Sequence, residues 1–260
     1  MPLTFLSHQA PAVALKLARP RAFDGTALVL GSMAPDFPYI FTDTPYEFDA
    51  HGLPGVLAFC VPVTALAAWA VRARVAAVAF SLLPSFGPLR LHDWRVLAAR
   101  RPAWWATVTS AFLGALTHSV WDTFTHERRL GARLFPVLLT RVATVGHTHV
   151  SLARVFQHVG HVAGALVTLA LLAHIARRGL LREWYGGAFD ALTAPVAPRG
   201  HRVWFGATVL ACAGVGFAWG FRTPMSCLIL RMAFVVSAGV AAFAFAVGGH
   251  PAYGVTRARA

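Results

Sequence analysis

The chain has 260 residues, of which 57% are hydrophobic and only 13% charged, and its mean hydropathy is +0.59. A water-soluble domain carries about 25% charged residues, so this balance points to lipid as the surrounding solvent. The formal charge of +13 comes from arginines set in pairs beside apolar runs, not from one basic block, which excludes the reflex reading of nucleic-acid binding and favours anchoring at a membrane surface.

Taken in chain order, Phe5–Leu17 and Thr26–Ala34 read as short helices. The first is punctuated by Pro11 and followed by Pro20, and the second is closed by Pro35 and Pro38. The first 20 residues hold His8, Lys16 and Arg19 without a clean apolar core, so no cleavable signal peptide is expected. Five runs lack Asp, Glu, Lys and Arg over a spanning length: Ala50–Val71, Pro102–Trp121, Val155–Ala176, Val203–Phe221 and Met232–Thr256. Each reaches the roughly 17–25 residues that cross a bilayer as a helix. A sixth run, Val75–Leu89, is shorter, holds Pro84, Gly87 and Pro88, and reads as an interfacial or re-entrant piece. Trp104, Trp105 and Trp121 bracket the second run, and Trp204 and Trp219 the fourth, as an aromatic belt would. Arginine pairs 72/74, 100/101 and 177/178 flank the same runs.

No segment alternates as a strand, and no repeat is visible. Cys60, Cys212 and Cys227 have no CxxC spacing and suggest neither disulfides nor a thiolate metal site. The predicted fold is therefore all-α: a polytopic helical membrane protein with about five transmembrane helices plus short N-terminal helices. It forms one integrated domain, in which residues 1–161 carry nearly all the chemistry. Residues 162–260 are C-terminal transmembrane helices, with Pro195 and Pro198 in a connecting loop.

The chemistry centres on FLGALTHSVWDTFTH, which sets His118, Asp122 and His126 four residues apart. Each such step turns about 400° on an α-helix, so the three side chains share one slowly drifting stripe. Ionisable groups at the end of a membrane-length segment are costly and call for a partner. If the runs span, the order of the chain puts His51, this stripe and His158 on one membrane face. His8 in LSHQAP, Asp36 in GSMAPDFPY and His51 in DAHGLPG add ligands on separate short elements. Such nitrogen and oxygen donors suit a zinc-like cation, and a carboxylate between two cations would bridge them. HxxxD alone is weak, since it serves equally as a hydrogen-bonded pair at a helix end. His174, His201 and His250 read as polar edge residues, and His92, His147 and His149 as loop residues. Arg128, Arg129 and Arg133 follow the stripe and suit either an anionic head group or plain interfacial anchoring.

The segments LSHQAP, GSMAPDFPYIF, FLGALTHSVWDTFTH and FQHVGH resemble the bacterial integral-membrane family called domain of unknown function 4184. That family is similar to membrane-bound metal-dependent hydrolases and, more distantly, to zinc-dependent phospholipase C and the P1-type nucleases. The ligand order of those enzymes would fall on His8, Asp36, His51, His118 with Asp122, then His126 and His158. Two departures stand out. Those enzymes use a processed N-terminal residue as a ligand, whereas this chain begins MPLTF. They also have a second HxxxE-type pair, whereas His158 is followed four residues later by Val162, with only His161 nearby. The resemblance thus implies one or two divalent ions, zinc above all, in place of a three-metal cluster. It also implies Asp36 and Asp122 as catalytic carboxylates and multi-pass residence in the cytoplasmic (inner) membrane.

The expected function is a membrane-embedded, metal-dependent hydrolase acting on a phosphoester, with an anionic lipid or lipid-linked substrate and Arg128 and Arg129 near its head group. The alternatives are a haem-binding membrane protein, with opposed histidines as axial ligands, or a non-catalytic metal-binding transporter or scaffold.

Overall fold

A computed structural model describes residues 6–83, 89–99, 101–190 and 197–254. Phe5, Pro84, Gly87, Pro88, Arg100, Pro195 and the end of the fifth apolar run at Thr256 lie outside the described residues. Helix α1 (Gln9–Ala18) carries Pro11 in its first turn, where a missing N–H leaves no bond unmade. Helix α2 (Gly25–Gly31) is capped by Asp24, whose side chain accepts from the amides of Thr26 and Ala27 at 3.1 and 3.4 Å. The two prolines that follow tighten the chain into the 3₁₀ segment Ala34–Phe41.

Helix α3 (Leu53–Leu82) runs for 30 residues. The first apolar run ends at Val71, with Val75–Leu89 expected as a separate interfacial piece; instead the helix continues through Arg72 and Arg74 by a π-helical turn, Val71–Val75. Arginine is a good helix former, so charge alone does not end a helix. The Ala76–Leu82 end also finds a core: Val78, Ala79 and Leu82 cluster with Phe205, Ala244 and Tyr253.

Helix α4 (Trp104–Thr125), the short α5 (Leu130–Leu134) and a hairpin of β1 (Arg141–Val145) and β2 (Thr148–Ser151) come next. The hairpin corrects the expectation of no strands. Val142, Thr144, Val145, Thr148 and Val150 are β-branched, and Gly146 takes the positive φ of 58° that the tight turn needs. The remaining helices are α6 (Leu152–Arg177), α7 (Leu180–Tyr185), α8 (Gly187–Asp190), α9 (Arg199–Gly220) and α10 (Met225–Val247).

Among the described residues four helices, α3, α6, α9 and α10 (the last from Cys227), are long and apolar enough to span a bilayer, where about five were expected. Helix α4 has the length, 22 residues, but it carries Thr107, Thr109, Ser110, Thr117, His118, Ser119 and Asp122 and is not among those four. In those four, only 11–22% of the apolar window is buried within the protein. Leu166, Leu210, Val203 and Trp204 stand 62–75% exposed. A helix that is apolar all round and mostly uncovered has lipid as its partner, and the chain is an all-α polytopic membrane protein.

The chain forms two compact units. One comprises Met1–Asp36, Asp49–Thr64 and Val108–Leu171; the other comprises Phe37–Phe48, Ala65–Thr107 and Leu172–Ala260. In the first, α2 meets α4 backbone to backbone. A Cβ on Gly31 would lie 2.5 Å from the Ala111 carbonyl oxygen, and one on Gly114 would collide with the Leu28 carbonyl. Only hydrogen at both positions permits this approach. Ser110 Oγ seals it by accepting from the Asp24 amide at 2.9 Å. In the second unit the buried Arg231 gives its guanidinium to the carbonyls of Ile40, Trp219 and Thr42 at 3.0, 3.1 and 2.6 Å and lies 4.8 Å over the Trp219 ring, so backbone and an aromatic face together solvate its charge.

Candidate metal centre

The close α2–α4 contact fixes the first ligand. It brings the Ser32 carbonyl to 2.8 Å from His118 Nδ1, which sets the donor on that nitrogen and turns the Nε2 lone pair inward. Asp122 lies one turn further along α4 and faces the same way. Asp36 enters from the 3₁₀ segment behind Pro35, its amide donating to the Met33 carbonyl at 3.1 Å. His51 precedes α3 and is held by Asp49, whose Oδ1 accepts from both the His51 amide (3.0 Å) and Nδ1 (2.9 Å). Asp49 in turn binds Arg129 through two bonds of 2.7 and 3.1 Å.

Four atoms then face one another in the interior. His51 Nε2 and His118 Nε2 each lie 3.4 Å from Asp36 Oδ1 and 3.4 Å from Asp122 Oδ2. All four residues are buried, with His118 only 1% exposed. A charge-assisted hydrogen bond closes to about 2.7–2.9 Å, so these contacts are long for direct bonds. They match the spacing of ligands around one cation: bonds of roughly 2.0–2.1 Å place neighbouring ligands about 3.3–3.4 Å apart, and all four atoms lie within 4.8 Å of one another. Consistent with this, His118 Nε2 has no hydrogen-bond partner. Buried polar atoms left without partners are costly unless something charged sits among them. These residues fit a divalent metal.

His8, at the start of α1, stacks on His118 with ring centroids 3.9 Å apart, and its Nε2 lies 3.6 Å from Asp122 Oδ1. Asp122 therefore presents one oxygen to the four-atom cluster and the other to His8. Burial works against the charged form of Asp36, but His118 and then His51 hold its carboxyl well below the usual carboxylate range. Burial alone would lower His51, yet Asp122 and Asp36 outweigh it and raise the imidazole. His8 is pushed down to about 3 by burial and then by the neighbouring His118, so it is a neutral lone-pair donor.

Of the residues expected from sequence, His8, Asp36, His51, His118 and Asp122 meet here. His126 stands at the rim, half-buried, with Nδ1 3.7 Å from Asp122 Oδ2 and Nε2 2.7 Å from Gln157 Nε2. His158 does not join them. It is exposed and bonds the Arg154 carbonyl through Nδ1 at 2.7 Å. Three residues on, a rotation of about 300° turns His161 inward instead. Its Nδ1 is 3.2 Å from Ser7 Oγ, and its buried Nε2 has no hydrogen-bond partner. Arg128 is exposed, whereas Arg129 is committed to Asp49. Sequence reasoning missed Asp49 and the Ser32 carbonyl. The short D-x-H spacing of Asp49 and His51 was the available signal for the former.

Fold and site together define a helical membrane protein with a buried His/Asp cluster able to hold a metal. The model of the family described as domain of unknown function (DUF4184) matches residues 1–250, and the chain belongs to that family. No curated protein and no solved structure matches the chain.

Proposed function

We propose that the protein is a metal-dependent hydrolase of the cytoplasmic membrane, acting on a phosphoester of an anionic lipid or lipid-linked molecule. The observation that carries this reading is the square of 3.4 Å contacts among Asp36, His51, His118 and Asp122, with the second oxygen of Asp122 turned to His8. A bound zinc-like cation supplies Lewis acidity, lowering the pKa of a coordinated water and offsetting charge on phosphoryl oxygens. The residues divide the remaining work. His51 and His118 would hold the cation through nitrogens aimed by Asp49 and the Ser32 carbonyl. Asp36 and Asp122 balance its charge. His8, neutral and beside the second oxygen of Asp122, is placed to hold a second ion. His126 and Gln157 line the rim.

A non-catalytic metal holder is the second reading, favoured by the completeness of the set: four protein ligands, the number that structural sites use. Haem ligation fits less well, because His8 packs face to face on His118 at 3.9 Å and leaves no slab for a porphyrin between them. Elemental analysis of detergent-purified protein, followed by turnover of bis(p-nitrophenyl) phosphate, tests the proposal. The expected result is stoichiometric metal and chelator-sensitive hydrolysis, both lost in Asp122→Asn. Metal without turnover would leave the second reading, and neither would sink both.

A further inference from the structure

Beside the metal cluster, within the same unit, lies a slot of about 180 Å³. One wall is a single face of α6, Gly160, Ala163, Gly164 and Val167, at the i, i+3, i+4, i+7 spacing of a helix side. Thr117 and Trp121 of α4, one turn apart, form the facing wall, and His8 and Pro11 close the end. The two hydroxyls that border it are turned to other partners: Thr117 Oγ1 donates to the Gly114 carbonyl at 2.7 Å, and Ser7 Oγ lies 3.2 Å from His161 Nδ1. The surface left to an occupant is almost wholly apolar.

Its position is as telling as its lining. His8 belongs both to this slot and to the cluster, so the slot adjoins the candidate metal centre. From Gly160 to Val167 it follows α6 for about 10 Å, away from the end of that helix nearest the cluster and towards the helix middle. Helix α6 is one of the spans, and its neighbouring residues Val162 and Leu166 are 65% and 62% exposed where lipid lies. Ala163 and Val167 are themselves exposed at the slot's edge, so it opens sideways to the same hydrocarbon. An apolar cavity of about 150 Å³ suffices for a benzene-sized occupant, so this one admits a segment of one chain.

We infer that the slot seats one hydrocarbon chain of a phospholipid whose phosphoester lies at the His/Asp centre. The fate of that ester rests on the hydrolase reading; the chain seat does not. The seat selects lipid over soluble phosphoesters, and it delivers the substrate laterally from the bilayer.

The test is photolabelling of protein reconstituted in phosphatidylcholine vesicles that contain phosphatidylglycerol with a diazirine in mid-chain. Adducts should concentrate on the Thr117–Trp121 and Gly160–Val167 peptides. In Ala163→Leu, where the added side chain enters the slot from its exposed edge, labelling there should fall about tenfold, the effect of displacing some two buried methylenes. Metal content of the same preparation reports whether the fold survives; if it does not, Val167→Trp, one turn further from the cluster, carries the same expectation. Labelling that is uniform along the lipid-facing side of α6, or unchanged in both variants, would overturn the seat. Labelling requires no turnover. A labelled slot in a protein inert towards phosphoesters therefore keeps the seat and removes the hydrolase, whereas turnover without labelling removes the seat alone.

Discussion

Asp49→Ala separates a role in aiming a ligand from a role in holding the fold. Asp49 contributes no atom to the four-atom cluster, yet its Oδ1 accepts from both the amide and Nδ1 of His51, and its two oxygens receive Arg129. The carboxylate side chain is 57% exposed and that of Arg129 30%, so the ion pair itself contributes below about 1 kcal/mol to stability. Orientation of a metal-ligating histidine by a carboxylate behind it is worth far more to the metal, typically 10–100-fold in affinity, or about 1.4–2.7 kcal/mol. The two consequences therefore diverge: zinc affinity should drop by one to two orders of magnitude while the melting temperature of the metal-free protein hardly moves. Arg129→Ala, which leaves the Asp49–His51 bonds in place, should cost less than Asp49→Ala. Competition against a chromophoric chelator gives the affinities, and intrinsic fluorescence on heating gives the stability. An Asp49→Ala protein that binds zinc as tightly as wild type, or an Arg129→Ala protein that loses as much, would refute the assignment of Asp49 as the group that aims His51.

Gly114→Ala should be among the most damaging single-methyl changes. Its Cβ would strike the Leu28 carbonyl and sit 2.9 Å from the Ser32 amide, and overpacking of this kind costs about 1–3 kcal/mol. Gly206→Ala, also in a long helix but with nothing near, should be neutral or stabilising by up to about 1 kcal/mol, and parallel thermal melts would show the contrast. Metal affinity should rise with pH. His51 is raised above its ordinary 6.5 in the metal-free protein, so its proton stabilises that form below the unfolded value and the contribution fades as pH climbs through the folded one. The cation replaces that proton, so affinity measured by calorimetry should climb as pH rises above the ordinary value of 6.5, at up to tenfold per unit for each proton displaced; a flat profile would contradict it.

Much of the centre was readable in the chain because its donors sit at places where apolar sequence is interrupted for no local reason. His118 and Asp122 close an apolar run, and helical periodicity alone puts them on one side. Asp36 behind Pro35 and His51 before α3 stand at element ends, which sequence punctuation marks well. What stayed hidden depends on rotation and on long-range contact. Choosing His161 over His158 requires the angular phase of α6, which a uniformly apolar helix does not reveal. The Ser32 carbonyl is backbone and leaves no residue signature. Arg72 and Arg74 looked like a boundary because charge was weighed above helix propensity, and the core that rewards continuing to Leu82 is built from residues far away in sequence. The hairpin was overlooked because its β-branched residues straddle one glycine in a chain otherwise read as helix.

The donors also arrive at the centre in a fixed order. His8, Asp36 and His51 leave the ribosome before α4 exists, and they have no common geometry until Gly31 and Gly114 let α2 close on that helix. A cation held there would thus be acquired by a chain that is already assembled through α4, not by the nascent N-terminal segment. Once bound, it works as a cross-link over widely separated positions, and such links oppose opening most where the closed loops are long. Metal should therefore slow hydrogen exchange first in α1, α2 and the 3₁₀ segment, the short elements with the least packing of their own, and leave the lipid-facing spans almost untouched.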